Sequence, residues 1–504
     1  MLRLNLYSQS RWSNIYYPSE NAYGLNIGLS YDKGYIIVGK HGSNAVEFNW
    51  LIKTDINGEI LWEKTLGSSS HIFQINDMAY NDFGDLYLIG LTDSYNNDNY
   101  DPLIMKLNSC GEKQWCRVFM QNDNNFSNVL RVTSDNGVAI VLKYMGTDPF
   151  IDDICLAKFD INGNLQWKQC YTSPDSALHG FDSFDLTLAP DGGFLLSGFC
   201  SYEDPNPPHY WSAKPYFLKT DSLGIYEWET VVHKDIASIG GDAYSTVLNP
   251  DSTFYYCSLN HNYHSAGDAA ALLKMDLSGN VIGIYDLAPP NTYGKMMRAK
   301  FINDSTLMAS AVWGPIGPPK AVIIDTLGNI QMSTILLDND YMAHTEVTFD
   351  DKLLYLTNIA DDLGNFDAYL FKFNHQLQSD TIYNQIFTYD SLCSYQIVSD
   401  TIAQDDCEVI VSNNYLSYGS SKGQLKIFPN PAKESFMVQV KGIKQQVSSI
   451  DIFNSYGQSV YSPEIFNTDT GIVVNSSDWQ GGIYIMRVLY KDGTEATGKV
   501  MVIQ

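Results

Sequence analysis

The side chains best suited to chemistry gather in two stretches, SYEDPNPPHYWSAKP (Ser201–Pro215) and NHNYHSAGDA (Asn260–Ala269). They carry His209, Tyr210, Trp211, His261, Tyr263 and His264. Aromatic faces beside polar groups suit docking of a carbohydrate or a peptide, and paired imidazoles suit a metal ion. Histidines and aromatics also populate ordinary exposed loops, so residue type alone does not separate a ligand groove from a bland surface. Catalytic signatures are absent: there is no GxSxG elbow, no HExxH and no phosphate-cradling GxxxxGK. Adjacent acids such as Asp152–Asp153 and Asp405–Asp406 are common in a chain with 57 Asp and Glu, and spacing does not single out a glycosidase pair. The expected catalytic and metal-site residues are therefore none. No cofactor is expected; so acidic a surface more often serves solubility and sometimes binds calcium.

The eight cysteines form no CxxC pair and no zinc-finger spacing. Cys393 and Cys407 bracket a short loop and are expected to bond to each other. Cys155 lies eight residues before Gly163 and Cys170 seven after it, so the two should face each other across one hairpin. A disulfide and two buried thiols both fit that placement. Cys110, Cys116, Cys200 and Cys257 have no partner assignable from sequence.

The elements that must position these residues come from a repeat. Its clearest copy is LAKFDINGNLQW (Leu156–Trp167). Indexed on the turn glycines Gly58, Gly111, Gly163, Gly224, Gly279 and Gly328, the copies are 53, 52, 61, 55 and 49 residues apart. Three positions before each glycine stands Asp or Asn (Asp55, Asn108, Asp160, Asp221, Asp276, Asp325). Five before stands Lys53, Lys106, Lys158, Lys219 or Lys274, with Ile323 as the exception. Four after stands Trp62, Trp115, Trp167 or Trp228, then Gly283 and Met332. A degraded seventh copy at Tyr369–Gln378 keeps Lys372 and Asn374 and has lost the glycine. The phrase predicts a hairpin with an Asp/Asn–Gly turn, and its Lys and Trp as a cross-strand pair. Upstream of each hairpin a second turn opens a short apolar strand, at Asp32, Asp82, Asp135, Asp191, Asp251, Asp304 and Asp350. A further strand-like run precedes each of these turns. Four strands per unit, seven times over, predict a seven-bladed β-propeller across residues 1–388. RWSNIYYP (Arg11–Pro18) and TIYNQIF (Thr381–Phe387) compete to close the ring. On this frame eight of nine histidines fall on one face: His41, His71, His179, His209, His233, His261, His264 and His344, with His375 opposite.

Composition agrees with strands: aromatics reach 13% and charged residues only 17%. The net charge of −26 repels phosphate backbones, so nucleic acid is not an expected partner. No apolar run approaches the length of a membrane span. A monomer is expected.

The repeat, with turns such as DKGY from Asp32 and DGGF from Asp191, resembles the tandem propeller-like repeats of surface proteins from Bacteroidetes-type bacteria, which carry a DGGY–KxDxxGxxxW pattern, over roughly residues 12–390. That resemblance speaks to fold and is silent on activity. Residues 389–424 read as a Cys-containing connector and polar linker. Residues 425–504 read as a separate all-β module, a small Ig-like sandwich. Here KIFPNP (Lys426–Pro431), SSIDIFNSYGQSVY (Ser448–Tyr461), SSDWQGGIYIMRV (Ser476–Val488) and GKVMVIQ (Gly498–Gln504) resemble, in order, the blocks of the type A C-terminal sorting domain of the type IX secretion system. Phe428, Pro429, Asn430, Pro431, Asn454, Gly457, Gly482, Tyr484 and Lys499 are the residues that carry the match. The resemblance implies the type IX machinery as a partner, and a secreted product or one attached to the outer cell surface. It also implies a signal peptide, which Met1–Trp12 does not resemble, so a truncated or misassigned start is expected. The leading expectation is a binding or adhesion module for a glycan or protein ligand. The alternatives are a propeller-type glycan hydrolase and an envelope scaffold. A hydrolase should show carboxylates converging within about 5–10 Å across the channel.

Overall fold

A computed structural model describes residues 13–17, 21–43, 46–67, 73–93, 100–120, 125–145, 152–171, 173, 177–203, 211–236, 238–263, 267–287, 294–313, 319–336, 344–360, 365–404, 406–411, 417–418, 424–441, 447–454, 459–461, 472–490 and 495–503. Every regular element among them is a β-strand, and no helix long and apolar enough to cross a membrane is present. The chain divides into two compact units, one built from Met1–Tyr171 and Asp175–Tyr415 and the other chiefly from Leu416–Gln504.

Among the described residues the repeat forms a four-stranded antiparallel set in each of seven sheets, and some of these sheets take a further strand at one edge. In the third, Asn125–Val132, Val138–Met145, Asp152–Phe159 and Leu165–Tyr171 pair in chain order. The seventh takes three strands from His344–Val347, Leu353–Ala360 and Phe366–Phe373, and its fourth from the N-terminal Ser13–Tyr16. Thr381–Phe387 forms no strand. Seven apolar clusters each join one sheet to the next. The last, with Leu354, Leu356 and Leu370 against Ile27, Tyr35 and Ile37, joins the seventh to the first.

The hairpin turns show why the phrase repeats. At the third, the Asp160 carboxylate accepts the backbone N–H groups of Asn162 and Asn164, and Gly163 donates to the Asp160 carbonyl. Gly163 has φ +79°, the left-handed region where glycine carries no steric cost. A side chain there would also strike Trp115 of the preceding sheet at 2.6 Å. The same contact recurs for Gly224 on Trp167 and Gly279 on Trp228. Thus the Trp of one sheet packs on the turn of the next. At the first turn Gly58 meets Asn14 and Tyr16 of the closing strand instead, and the Tyr16 hydroxyl donates to the Gly58 carbonyl at 2.9 Å.

Lys and Trp do stand opposite in register, as Lys53–Trp62, Lys106–Trp115, Lys158–Trp167 and Lys219–Trp228. The ammonium, however, pairs with an Asp of the upstream turn: Lys53 with Asp32, Lys106 with Asp85 (2.8 Å), Lys158 with Asp135 (2.9 Å), Lys219 with Asp191 (2.7 Å) and Lys372 with Asp350 (2.8 Å). In these five repeats the two signals meet through one ion pair.

The expected Cys393–Cys407 bond does not form. Residues 389–411 run along the outer edges of the first two sheets instead. Asp400–Ile402 pairs parallel to Lys64–Leu66, and Glu408–Val411 parallel to Arg117–Met120. Each cysteine therefore meets a sheet cysteine, giving Cys110–Cys393 and Cys116–Cys407 with Cα separations of 5.7 and 4.8 Å. Cys155 and Cys170 do bond. Cys200 and Cys257 are buried thiols, and burial pushes Cys257 up to about 12. The strap satisfies edge strands that would otherwise present unpaired backbone.

In the second unit a three-stranded sheet (Gln424–Phe428, Ser435–Lys441, Ile472–Asn475) and a four-stranded one (Val447–Phe453, Ser459–Tyr461, Gly482–Tyr490, Glu495–Val502) share a core that includes Phe436, Val438, Ile452, Met486 and Val500.

Candidate ligand-binding site

The first strand of every sheet in the first unit lines one common cavity of about 560 Å³. Six of these strands carry a register shift near the same level, among them Gly24/Asn26, Ile75/Asp77, Ser183/Asp185 and Met296/Arg298. A bulge re-aims the side chain that follows it. Here it presents Asn26, Asp77, Asp185 and Arg298 to the cavity.

Two carboxylates converge on one guanidinium. Arg131 Nη1 lies 3.1 Å from Asp77 Oδ2, and Nη2 pairs with Asp185 Oδ1. The same carboxylates tie neighbouring sheets together. Asp77 accepts the N–H of Leu130 from the third sheet at 3.1 Å and also bonds Asn26 of the first. Asp185 accepts the N–H of Thr246 from the fifth at 2.9 Å. Burial pushes the Asp77 carboxyl above its usual range, against the pull of Arg131 and Arg298. Glu346 pairs with Lys300. His344 is held well below the usual imidazole range, first by burial and then by Arg298, Lys300 and Arg131, so at neutral pH it is uncharged.

The loop residues singled out in sequence are placed only in part. His209, Tyr210 and His264 lie outside the described residues, as does Gly457 of the sorting signal. Trp211 opens one strand and Tyr263 ends another. His261 is buried at 3% exposure; its ring stacks on His233 with centroids 4.9 Å apart, and its Nδ1 lies 3.3 Å from Asp286. Burial first, then His261 and Lys214, lower His233. Cys116, Asp406 and Cys407 lie close together, but the two sulfurs are bonded to each other and offer no thiolate for a metal. Sequence reading named His344 among the histidines of one face but missed Asp77, Arg131, Asp185, Arg298 and Lys300, which line the cavity with it. Their signal was available: these positions break the apolar alternation of strands that otherwise read as core.

In the second unit Asn430, Gly482 and Tyr484 lie beside the last strand, which carries Lys499. Asn430 accepts the N–H of Met501 at 2.9 Å and donates to the carbonyl of Lys499 at 3.1 Å. Phe428, Pro429, Pro431, Gly482 and Lys499 are exposed, and Asn454 is half-buried. Tyr484 is buried, donating to the Gln480 carbonyl at 2.8 Å.

Residues 426–504 match the secretion system C-terminal sorting domain. The chain therefore carries a type IX sorting tail, which implies interaction with that machinery and export to the cell surface or medium. An endo-acting ulvan lyase of Formosa agariphila is 28% identical over 78 residues, 16% of this chain and 14% of that enzyme's length. Among solved structures, the periplasmic gluconolactonase of Pseudomonas aeruginosa aligns at 11% identity and TM-score 0.41, covering 71% of this chain and 98% of that one. An α-L-arabinanase of Penicillium chrysogenum aligns at 13% identity and TM-score 0.39, covering 58% and 91%.

Proposed function

We propose that the seven sheets are the blades of a seven-bladed β-propeller, that residues 425–504 are a small Ig-like sandwich, and that the exported protein is a binding or adhesion module for a glycan or protein ligand. The observation that supports binding over catalysis is the state of the cavity carboxylates. Asp77 and Asp185 both hold Arg131 and both accept backbone N–H groups of the next sheet. Carboxylates so engaged are poor candidates for nucleophile or general base, which need a free lone pair aimed at substrate. The raised carboxyl of Asp77 beside Asp185 is what favours the second reading, a glycan hydrolase.

A polysaccharide array assayed in parallel for retention of the full chain and for new reducing ends separates these readings. Retention without cleavage is the expected result. Reducing ends that vanish in Asp77→Asn would establish the hydrolase instead. Neither signal would leave a scaffold and sink the binding reading.

A further inference from the structure

The cations of the cavity are not all matched. Arg131 meets Asp77 and Asp185, and Lys300 meets Glu346. Arg298 stands two residues before Lys300 on the same strand and lines the same cavity. Among the described residues it makes no ion pair and no hydrogen bond; its field reaches Asp77 and His344 only through space. It is also only partly exposed. A planar group with five donors thus sits half-screened from water with none of them engaged by protein. Beside it His344 is neutral and offers one donor and one acceptor. Much of the remaining wall is apolar or backbone, with Gly28, Ala79, Val132 and Phe301.

The geometry points to Arg298 as the anchor for an anionic group on a small sugar, the carboxylate of a uronic acid or a sulfate ester, with Lys300 and His344 beside it. This rests on reading the first unit as a glycan-binding module. The guanidinium fork matches either oxyanion with two parallel hydrogen bonds. The cavity volume of about 560 Å³ is that of a small-molecule site. The net charge of −26 repels anions from the molecule as a whole, so retention of an acidic sugar requires a local cation of this kind. A neutral sugar gives the guanidinium no ionic partner.

Calorimetric titration of the full chain tests this with digalacturonate, galactose 6-sulfate and neutral galactobiose, each at low and high salt. At least one anionic sugar should bind, more weakly as salt rises, and galactobiose should not; which anionic sugar binds distinguishes carboxylate from sulfate. Arg298→Gln should weaken that binding roughly tenfold to a hundredfold, the loss expected for hydrogen bonds to a charged group. Arg298→Lys should retain part of it. Arg298 has no ion-pair or hydrogen-bond partner among the described residues, so both variants should melt with the wild type; if Arg298→Gln does not fold, the lysine variant and the wild-type salt dependence decide. Anionic binding unchanged in Arg298→Gln, or equal binding of galactobiose, overturns the anchor while leaving the binding-module reading intact. No binding of any of the three sugars overturns the anchor, and the polysaccharide array then decides the wider reading.

Discussion

Lys53 and Lys219 occupy the same place in their sheets but not the same surroundings. Lys53 is 1% exposed and pairs with Asp32, itself 3% exposed, and with Asp390 of the strap. Lys219 is as deeply buried, but its partners Asp191 and Glu227 are 54% and 40% exposed. Removing a cation strands whatever anion it leaves behind, and the cost follows the burial of that anion. Lys53→Met is therefore expected to destabilise by about 3–5 kcal/mol, the range for breaking a buried pair. Lys219→Met should cost at most about 1 kcal/mol, because water takes over the two carboxylates. Chemical denaturation of the two variants gives the comparison; equal losses would mean the ion pair is not what fixes this position. The lysine was legible as a repeated residue, but its partner was not. Asp85 lies 21 residues before Lys106, with a whole strand between them, and only the register of the sheet brings them together.

At the scale of the element, the strap is the part that sequence misplaced. Cys393 and Cys407 looked like a local pair because they are near in sequence. Tertiary structure draws each to a different cysteine of the second sheet, at separations of 283 and 291 residues. The two cross-links lie side by side. Once one is made, the other closes only the short ring formed by residues 110–116 and 393–407. In the chain-entropy account, losing either alone should cost roughly 3 kcal/mol, whereas losing both also releases the long loop and should cost roughly 9 kcal/mol. Denaturation of Cys393→Ser, Cys407→Ser and the double variant measures this. Additive losses would mean that the links act independently. The Asp–Gly hairpins, by contrast, were readable because a turn is local: the Asp carboxylate, two N–H groups and a glycine at positive φ all lie within five residues.

For the whole molecule, the tail carries the address and the first unit carries whatever is delivered. Deleting residues 426–504 is expected to leave the chain in the periplasm, tracked by immunoblotting of cell fractions and medium; undiminished release would show that the tail does not direct export. The sorting residues were readable because they are short and fixed relative to one another. Asn430 makes two hydrogen bonds to the last strand, at Lys499 and Met501. The cavity residues have no such spacing. Asp77, Asp185 and Arg298 each come from a different repeat and meet only because the sheets share one cavity.

The sequence by itself determined the all-β class, the six hairpins with an Asp/Asn–Gly turn, the facing of Cys155 and Cys170 across one of them, and the export tail, since each depends on residues close together or in a fixed order. It also showed that Trp and Gly recur, but not that the Trp of one repeat packs on the Gly of the next. Tertiary structure alone decided that contact, the N-terminal strand that completes the seventh sheet, the strap and its two long-range disulfides, and the set of charges around Arg298. The physical reason is common to all four. Each joins groups tens to hundreds of residues apart, and no local spacing records which distant repeat a side chain will face.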